Sequence, residues 1–458
     1  MIRDPAGGAP RAGSGFALAN GGRAFRHRNY RLFFGGQLVS LVGTWMQQVA
    51  QAWLVLELTS DPLVLGLTTA LTFLPVLLLG LFGGLIADAL PKRQTLIVTQ
   101  AVQMTLAFVL FALVVTDTVQ VWQILVLATI LGITNAVDMP TRQAFTVEMV
   151  GREDVANAVA LNSAIFNGAR IVGPAIAGLT IGFFGGDVSA AFLINGLSFL
   201  AVIIAYAAMR ESDLDHRGGY ARPGSLAEVR TSLADGLRYV RRHDMVLMMT
   251  LTVGLASTFG FNFGVIIPAL AKDVLNTDAT GYGFLMAATG IGSLIAALGI
   301  AFSGRSRPVI VPLGAAILGI ALLATSLVQL FPMALVTMLF VGFGAIAMAA
   351  TANTTIQLAV PDELRGRVLS VYTTVFVGST PLGGLLTGWI ASAFSVDAAI
   401  AVGGLGALVA GIGSLAWLAR IQARRGRPLT GTSSMRPRES VPVAATGAGA
   451  TSGNARPR

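Results

Sequence analysis

The stretch "NSAIFNGARIVGPAIAGLTIGFF", residues 162–184, is almost wholly small and apolar, yet it holds Arg170 and the pair Gly173-Pro174. Its length matches the run of about 20 apolar residues that an α-helix needs to cross a bilayer. Read as a membrane span, it places a guanidinium where charge is costly and must face a partner or a cavity. Runs of similar length recur from Leu32 to Leu418. The 458-residue chain is 54% hydrophobic and 12% charged, about half the charge of an average soluble domain. Core helices of a soluble protein would be shorter and striped. The expected fold is therefore all-α and integral to the membrane. It has twelve spans, near 33–57, 63–86, 94–116, 121–141, 158–183 and 188–209, then 245–269, 281–302, 309–329, 332–354, 367–393 and 397–419.

Basic residues set the orientation of such a chain. With that span count, one side collects Arg26, Arg28, Arg31, Lys92, Arg93, Arg142, Arg152, Arg305, Arg307, Arg365 and Arg367, and the arginines of 210–243 join them. The opposite loops hold Lys272 among Glu57, Asp61, Asp117, Asp187, Asp273, Asp278 and Asp397. The asymmetry predicts a multi-pass protein of the plasma (inner) membrane, with both termini cytoplasmic. The net charge of +9 then reads as an orientation signal, and no nucleic-acid partner is expected.

The domains expected are a disordered N-terminus (1–23), a six-helix bundle (24–209), a cytoplasmic linker (210–243), a second six-helix bundle (244–420) and a disordered basic tail (421–458). In the linker, Ser225 and Glu228 have capping-box spacing. Leu226, Val229, Leu233, Leu237 and Val240 share one helical face. That pattern predicts an amphipathic helix on the inner leaflet, its arginines near lipid phosphates, or a plain connector. The halves also echo each other. "VGREDVANAV" leads to Gly173-Pro174, and "VPDELRGRV" leads to Pro381 and Gly383-Gly384. Such repeats are how many transporters are built.

The loop "GGLIADALPKRQ" resembles the signature between helices two and three of the major facilitator superfamily. Gly84, Asp88, Lys92 and Arg93 match it, and Ala89 and Pro91 depart from it. "GARIVGPAIAG" is similar to the superfamily's antiporter motif in helix five, through Gly168, Gly173, Pro174 and Gly178. More narrowly, "FRHRNYRLFFGGQLVSLVGTWMQQVAQAWLVLELT", "VDMPTRQAF" and "VPDELRGRVLSVYTTVF" resemble the enterobactin-exporter-like branch, the transmembrane secretion effectors, over roughly residues 24–420. The resemblance implies two pseudo-symmetric six-helix bundles and export driven by proton antiport. It also implies a conformational latch at the Asp88 loop.

Residue chemistry adds candidates of its own. Gln37, Ser40, Thr44, Gln47, Gln48 and Gln51 recur every three or four residues and form a polar stripe that lipid would not solvate. With Asn162, Asn167 and Arg170 they make either a substrate-cavity wall or a buried network between spans one and five. Asn262 and Asn353, with Gln357, are further cavity candidates in the second half. Gly168, Gly173 and Gly178 allow close helix packing, and Pro174 frees a carbonyl. Asp138 and Arg142 suit an i,i+4 ion pair. Asp138 and Glu57 are also the proton-coupling candidates, since no acid lies deep in the second half.

The function expected is secondary active export of small amphipathic molecules by alternating access. The partners are the cargo, the proton and membrane lipids, and the chain acts as a monomer. An uptake or lipid-flipping carrier of the same fold is the alternative. A membrane-bound enzyme is disfavoured, because Asp88, Glu148, Glu153 and Asp154 lie without ligand spacing. No cofactor or metal is expected: the chain has no cysteine, its three histidines do not cluster, and no Gly-x-x-x-x-Gly-Lys loop is present.

Overall fold

The computed structural model describes residues 22–215, 226–303 and 307–424. Most of both termini, Ser225 of the expected capping box and part of the loop at 303–308 lie outside them. All regular structure among the described residues is helical. The helices are α1 (Arg28–Thr59), α2 (Pro62–Ala89), α3 (Lys92–Val115), α4 (Val121–Phe183), α5 (Ser189–Ala207), α6 (Leu226–Arg242) and α7 (Asp244–Gly260). Then come α8 (Phe263–Ala269), α9 (Ala279–Ser303), α10 (Ile310–Thr325), α11 (Phe331–Ala359), α12 (Asp362–Ala393) and α13 (Val396–Arg424).

Twelve crossings emerge once α4 is seen as two arms. Gly151 (φ 68°, ψ 172°) interrupts it, a conformation that glycine reaches without a Cβ penalty. The first arm runs parallel to α2, since Gly132 meets Thr72 and Ala136 meets Gly83 further along both. The second arm runs parallel to α1. Asn157 meets Ala24, Asn162 meets Tyr30 and Gly173 meets Trp45, in the same order. Because α1 and α2 are antiparallel neighbours, the arms are too. The polar segment expected as a loop, 142–157, is therefore helical apart from that one glycine. The seventh span differs as well: the helix ends at Gly260 and restarts at Phe263. Its last turn widens into a π-helix, Leu270–Val274.

Local chemistry explains several boundaries. Ser60, left-handed at φ 51°, ends α1. Asp61 caps α2 by accepting from Leu63 N at 2.9 Å, with Pro62 in the first turn, where its missing N–H is harmless. The halves repeat one packing plan. In the first, α1 packs on α5 and on the second arm of α4, α2 on the first arm, and α3 on α5 and α4. In the second, α7 packs on α12 and α13, α9 on α11, and α10 on α13 and α11. The halves meet through α2 with α12, and α4 with α9, which is the same pair after a two-fold exchange.

The linker helix α6 does not simply lie free on a leaflet. Gly236 packs on the Arg367 backbone, Asp235 accepts from Arg367 Nη1 at 2.8 Å and from Arg238 Nη1 at 3.0 Å, and Val240 is buried. Leu237 remains 40% exposed.

Candidate functional site

The close approaches between the halves concentrate toward the face that carries the acidic loops. Along α4 and α9, Gly178 and Gly182 pack on Thr280, Gly283 on Pro174, and Gly290 on Ile171. Thr280 Oγ1 donates to Gly178 O at 3.2 Å. Along α2 and α12, Gly66 meets Gly384, and Gly388 meets Pro62. Lys272 Nζ donates to Leu56 O at 2.5 Å and Ser60 Oγ at 3.4 Å. Trp53 stacks on Tyr282 across the seam, with centroids 6.4 Å apart. Small residues let these backbones touch, so this face is shut. The α2–α12 approaches reach down to Leu77 against Gly378. Beyond mid-depth, Asn353 and Gln357 on α11 are exposed.

Arg170 lies at the floor of that sealed layer, about 20 Å below the Phe183 end of its helix by helical rise. Its residue is only 9% exposed. Among the described residues it makes no hydrogen bond or ion pair. Its partners are two ring faces: Trp45 of α1 at 6.0 Å and Phe263 of α8 at 5.8 Å from the guanidinium carbon. Cation–π contacts of this kind are worth roughly 0.5–2 kcal/mol, far less than burying a charge costs. The cation thus bridges the two halves while its five donors stay available. Further rings extend the site on both sides. Phe166 meets Trp45 at 5.7 Å; on the other half Phe263, Phe261, Phe376 and Tyr372 follow one another at 4.7, 5.5 and 6.4 Å.

The expected polar stripe on α1 splits into two faces. Gln37 and Gln47 turn into the first bundle. Gln47 accepts from Asn195 Nδ2 at 2.6 Å, and Gln37 donates to Tyr206 Oη at 3.4 Å. Gln48 is exposed and Gln51 half-buried. Asn162 accepts from Tyr30 Oη at 2.9 Å, and Asn167 donates to Ser163 O at 2.8 Å. Of the expected cavity wall, Gln48 and Asn167 make no hydrogen bond to another helix among the described residues, Arg170 reaches other helices through ring faces alone, and Gln47 and Asn162 join helices by hydrogen bonds. Asn262 sits inside the second bundle at the α7–α8 break and donates to Thr258 O at 2.8 Å and Thr387 Oγ1 at 3.0 Å. Asn353 accepts from Gln357 Nε2 at 2.9 Å.

The antiporter-like motif divides its labour. Gly173 packs on Val42 and Trp45 of α1, Gly178 on Thr280 of α9, and Pro174 is buried within an otherwise continuous helix. Gly168 departs from the expectation of close packing, since a Cβ there would meet nothing within 4 Å. In the signature loop, Lys92 pairs with Glu148 at 2.7 Å. Arg93 donates from Nε to Tyr206 O and from Nη2 to Ala207 O, both at 2.8 Å, covering the carbonyl end of α5. Both ties stay within the first half. Gly84 is half-buried with open space beside it, and the side chain of Asp88 lies outside what is described.

Asp138 is fully buried. Its carboxylate accepts from Thr99 Oγ1 at 2.7 Å, from Gln100 Nε2 at 2.9 Å and from Arg142, the i,i+4 partner. Arg142 Nη1 also donates to Gln37 Oε1 at 3.1 Å. The Asp138–Arg142 pair thereby ties α1 and α3 to the first arm of α4, with α5 joined through Tyr206. Glu57 accepts from Trp53 Nε1 at 2.7 Å.

Twelve crossings, a repeated packing plan and a shut seam between the halves define a major facilitator-type membrane transporter. Solved structures share the fold. The nucleoside transporter NupG superposes with a TM-score of 0.68 at 10% identity, over 85% of this chain and 99% of that one. A bacterial homologue of the human lysosomal transporter Spinster, in an inward-facing and unoccupied conformation, gives 0.63 at 13% identity over 88% and 95%. The sequence profile of the transmembrane secretion effectors matches residues 21–436, and the chain belongs to that family. Similar curated proteins include the staphyloferrin A transporter of Staphylococcus aureus, 24% identical over 82% of this chain and 92% of that protein. The multidrug efflux pump Tap of Mycolicibacterium fortuitum is 29% identical with the same coverage. Macrolide efflux protein A of Streptococcus pyogenes is 23% identical over 81% and 92%.

Proposed function

We propose that this transporter is a secondary exporter of amphipathic small molecules that carry an acidic or carbonyl-rich group beside a flat apolar part. The observation that carries the reading is Arg170: a mid-membrane guanidinium held by rings of both halves, with no carboxylate paired to it among the described residues. A cargo carboxylate or chelating oxygen pair would meet its fork of donors, and the flanking rings would receive the apolar part. Binding there competes with the Arg170–Phe263 contact, which joins the halves. Cargo would therefore bias the seam between 24–209 and 244–420, as alternating access requires. In this reading the basic loops are cytoplasmic, so the shut acidic-loop face makes the described state inward-facing.

Proton antiport fits the Asp138–Arg142 pair. A proton taken by Asp138 would release Arg142 and loosen the tie among α1, α3 and α4. Siderophore and drug transport in the similar proteins accords with this cargo class. The test is efflux into everted membrane vesicles of cells expressing the chain, with and without a protonophore. The reading expects cargo accumulation that collapses with the proton gradient. Accumulation that survives the protonophore would reject antiport, and uptake into intact cells would reject export.

A further inference from the structure

A second site lies at the opposite edge of the molecule, remote from Arg170. Where α13 leaves the membrane on the basic-loop face, a cleft of about 450 Å³ opens between that helix and the start of α7. Trp417, Arg420 and Arg424 line one wall and Asp244 the other; Gly413 and Ala416 form the upper end. Both arginines are exposed, and among the described residues neither forms a hydrogen bond or ion pair. Two guanidinium groups face one carboxylate, and that carboxylate already sits in the first turn of α7, where it complements the helix dipole. The cleft is therefore a net cationic seat with donors to spare. Above it, α13 presents Leu405, Val409 and Ile412, which are 52%, 67% and 58% exposed, at helical spacing on the lipid side. Acyl chains can lie along that stripe and lead directly into the cleft. Trp417 stands at the junction, the depth at which indole rings settle in a bilayer.

We propose that this cleft binds the phosphate of an anionic membrane phospholipid, held by Arg420 and Arg424 and flanked by the Trp417 ring. Basic pockets between helices at the membrane boundary take anionic headgroups by this chemistry. The apolar stripe above the arginines favours a lipid over free phosphate. The site clamps α13 to α7, the two helices whose packing holds one edge of the second bundle.

The experiment is native mass spectrometry of the full-length protein extracted from vesicles of phosphatidylcholine containing a minor share of phosphatidylglycerol. Wild type should retain phosphatidylglycerol in excess of its share in the vesicle. The double variant Arg420→Gln/Arg424→Gln should retain on the order of tenfold less, with phosphatidylcholine retention unchanged. Arg307→Gln, an exposed arginine on the same face, should behave as wild type. Equal phosphatidylglycerol retention in wild type and the double variant would overturn the proposal. So would displacement of the lipid by millimolar inorganic phosphate, which would mark a free-anion site. Thermal unfolding in phosphatidylcholine vesicles with and without phosphatidylglycerol checks that the variant is folded. Wild type should be stabilised by phosphatidylglycerol and the double variant should not; an equal gain in both would also count against the site.

Discussion

The seal on the acidic-loop face can be broken with two methyl groups. In Gly178→Ala/Gly283→Ala, the new carbon at 283 would lie 2.5 Å from the Pro174 carbonyl oxygen, and that at 178 would lie 3.0 Å from Thr280 Cα and O. Carbon and oxygen rest comfortably at about 3.3 Å or more. The crowded atoms are backbone and cannot rotate aside, so α4 and α9 must separate. Overpacking of this kind costs about 1–3 kcal/mol. It burdens only the state in which the helices touch, so the closed population should fall by about 5–150-fold relative to the open one. The chain has no cysteine, so Thr118→Cys and Leu327→Cys give unique spin-label sites, one in each half, on exposed loops of that face. Pulsed dipolar spectroscopy should show one short distance in the parent and an added longer population in the alanine variant. Superimposable distance distributions, with the variant still folded, would refute the glycine seal.

Three other single variants test the ties between helices, two inside the first bundle and one on the linker helix. Asp138→Asn strands the Arg142 charge and should cost about 3–5 kcal/mol, read as a lowered melting temperature; Asp138→Asn/Arg142→Gln should recover part of it. The same single variant should keep downhill cargo movement in vesicles yet lose its response to a pH gradient. Asn195→Leu leaves Gln47 buried without its partner and should cost about 1–3 kcal/mol, whereas Asn195→Leu/Gln47→Leu should lie closer to wild type in the same melt. Asp235→Asn removes two pairs at the membrane surface and should change stability by no more than about 1 kcal/mol, a shift small beside that of Asp138→Asn.

The crossings were legible because bilayer thickness imposes a length on each apolar run, and the loop arginines sorted the ends. The boundaries were less so. Residues 142–157 read as a polar loop, yet amphipathic helix continues beyond the membrane wherever a neighbour covers one side, and Gly151 alone makes the turn. Within the site, Arg170 stood out because a charge in an apolar run has few explanations. Its ring partners did not: Phe263 is 93 positions away in sequence, and aromatic residues in a span are ordinary. The α1 stripe left its two readings undecided for a related reason. Periodicity shows that Gln47 and Gln48 lie near one face, but a step of 100° separates them, and only the position of Asn195 decides which turns inward.

The most direct measurement of the central claim is calorimetric binding of the cargo found in the vesicle assay to purified wild type and Arg170→Gln. A charge-assisted hydrogen bond to the guanidinium is worth about 1.5–3 kcal/mol. The variant should therefore bind roughly 10–150-fold more weakly, and its efflux should fall with it. Equal affinity and equal efflux in the folded variant would show that the cargo path does not pass Arg170.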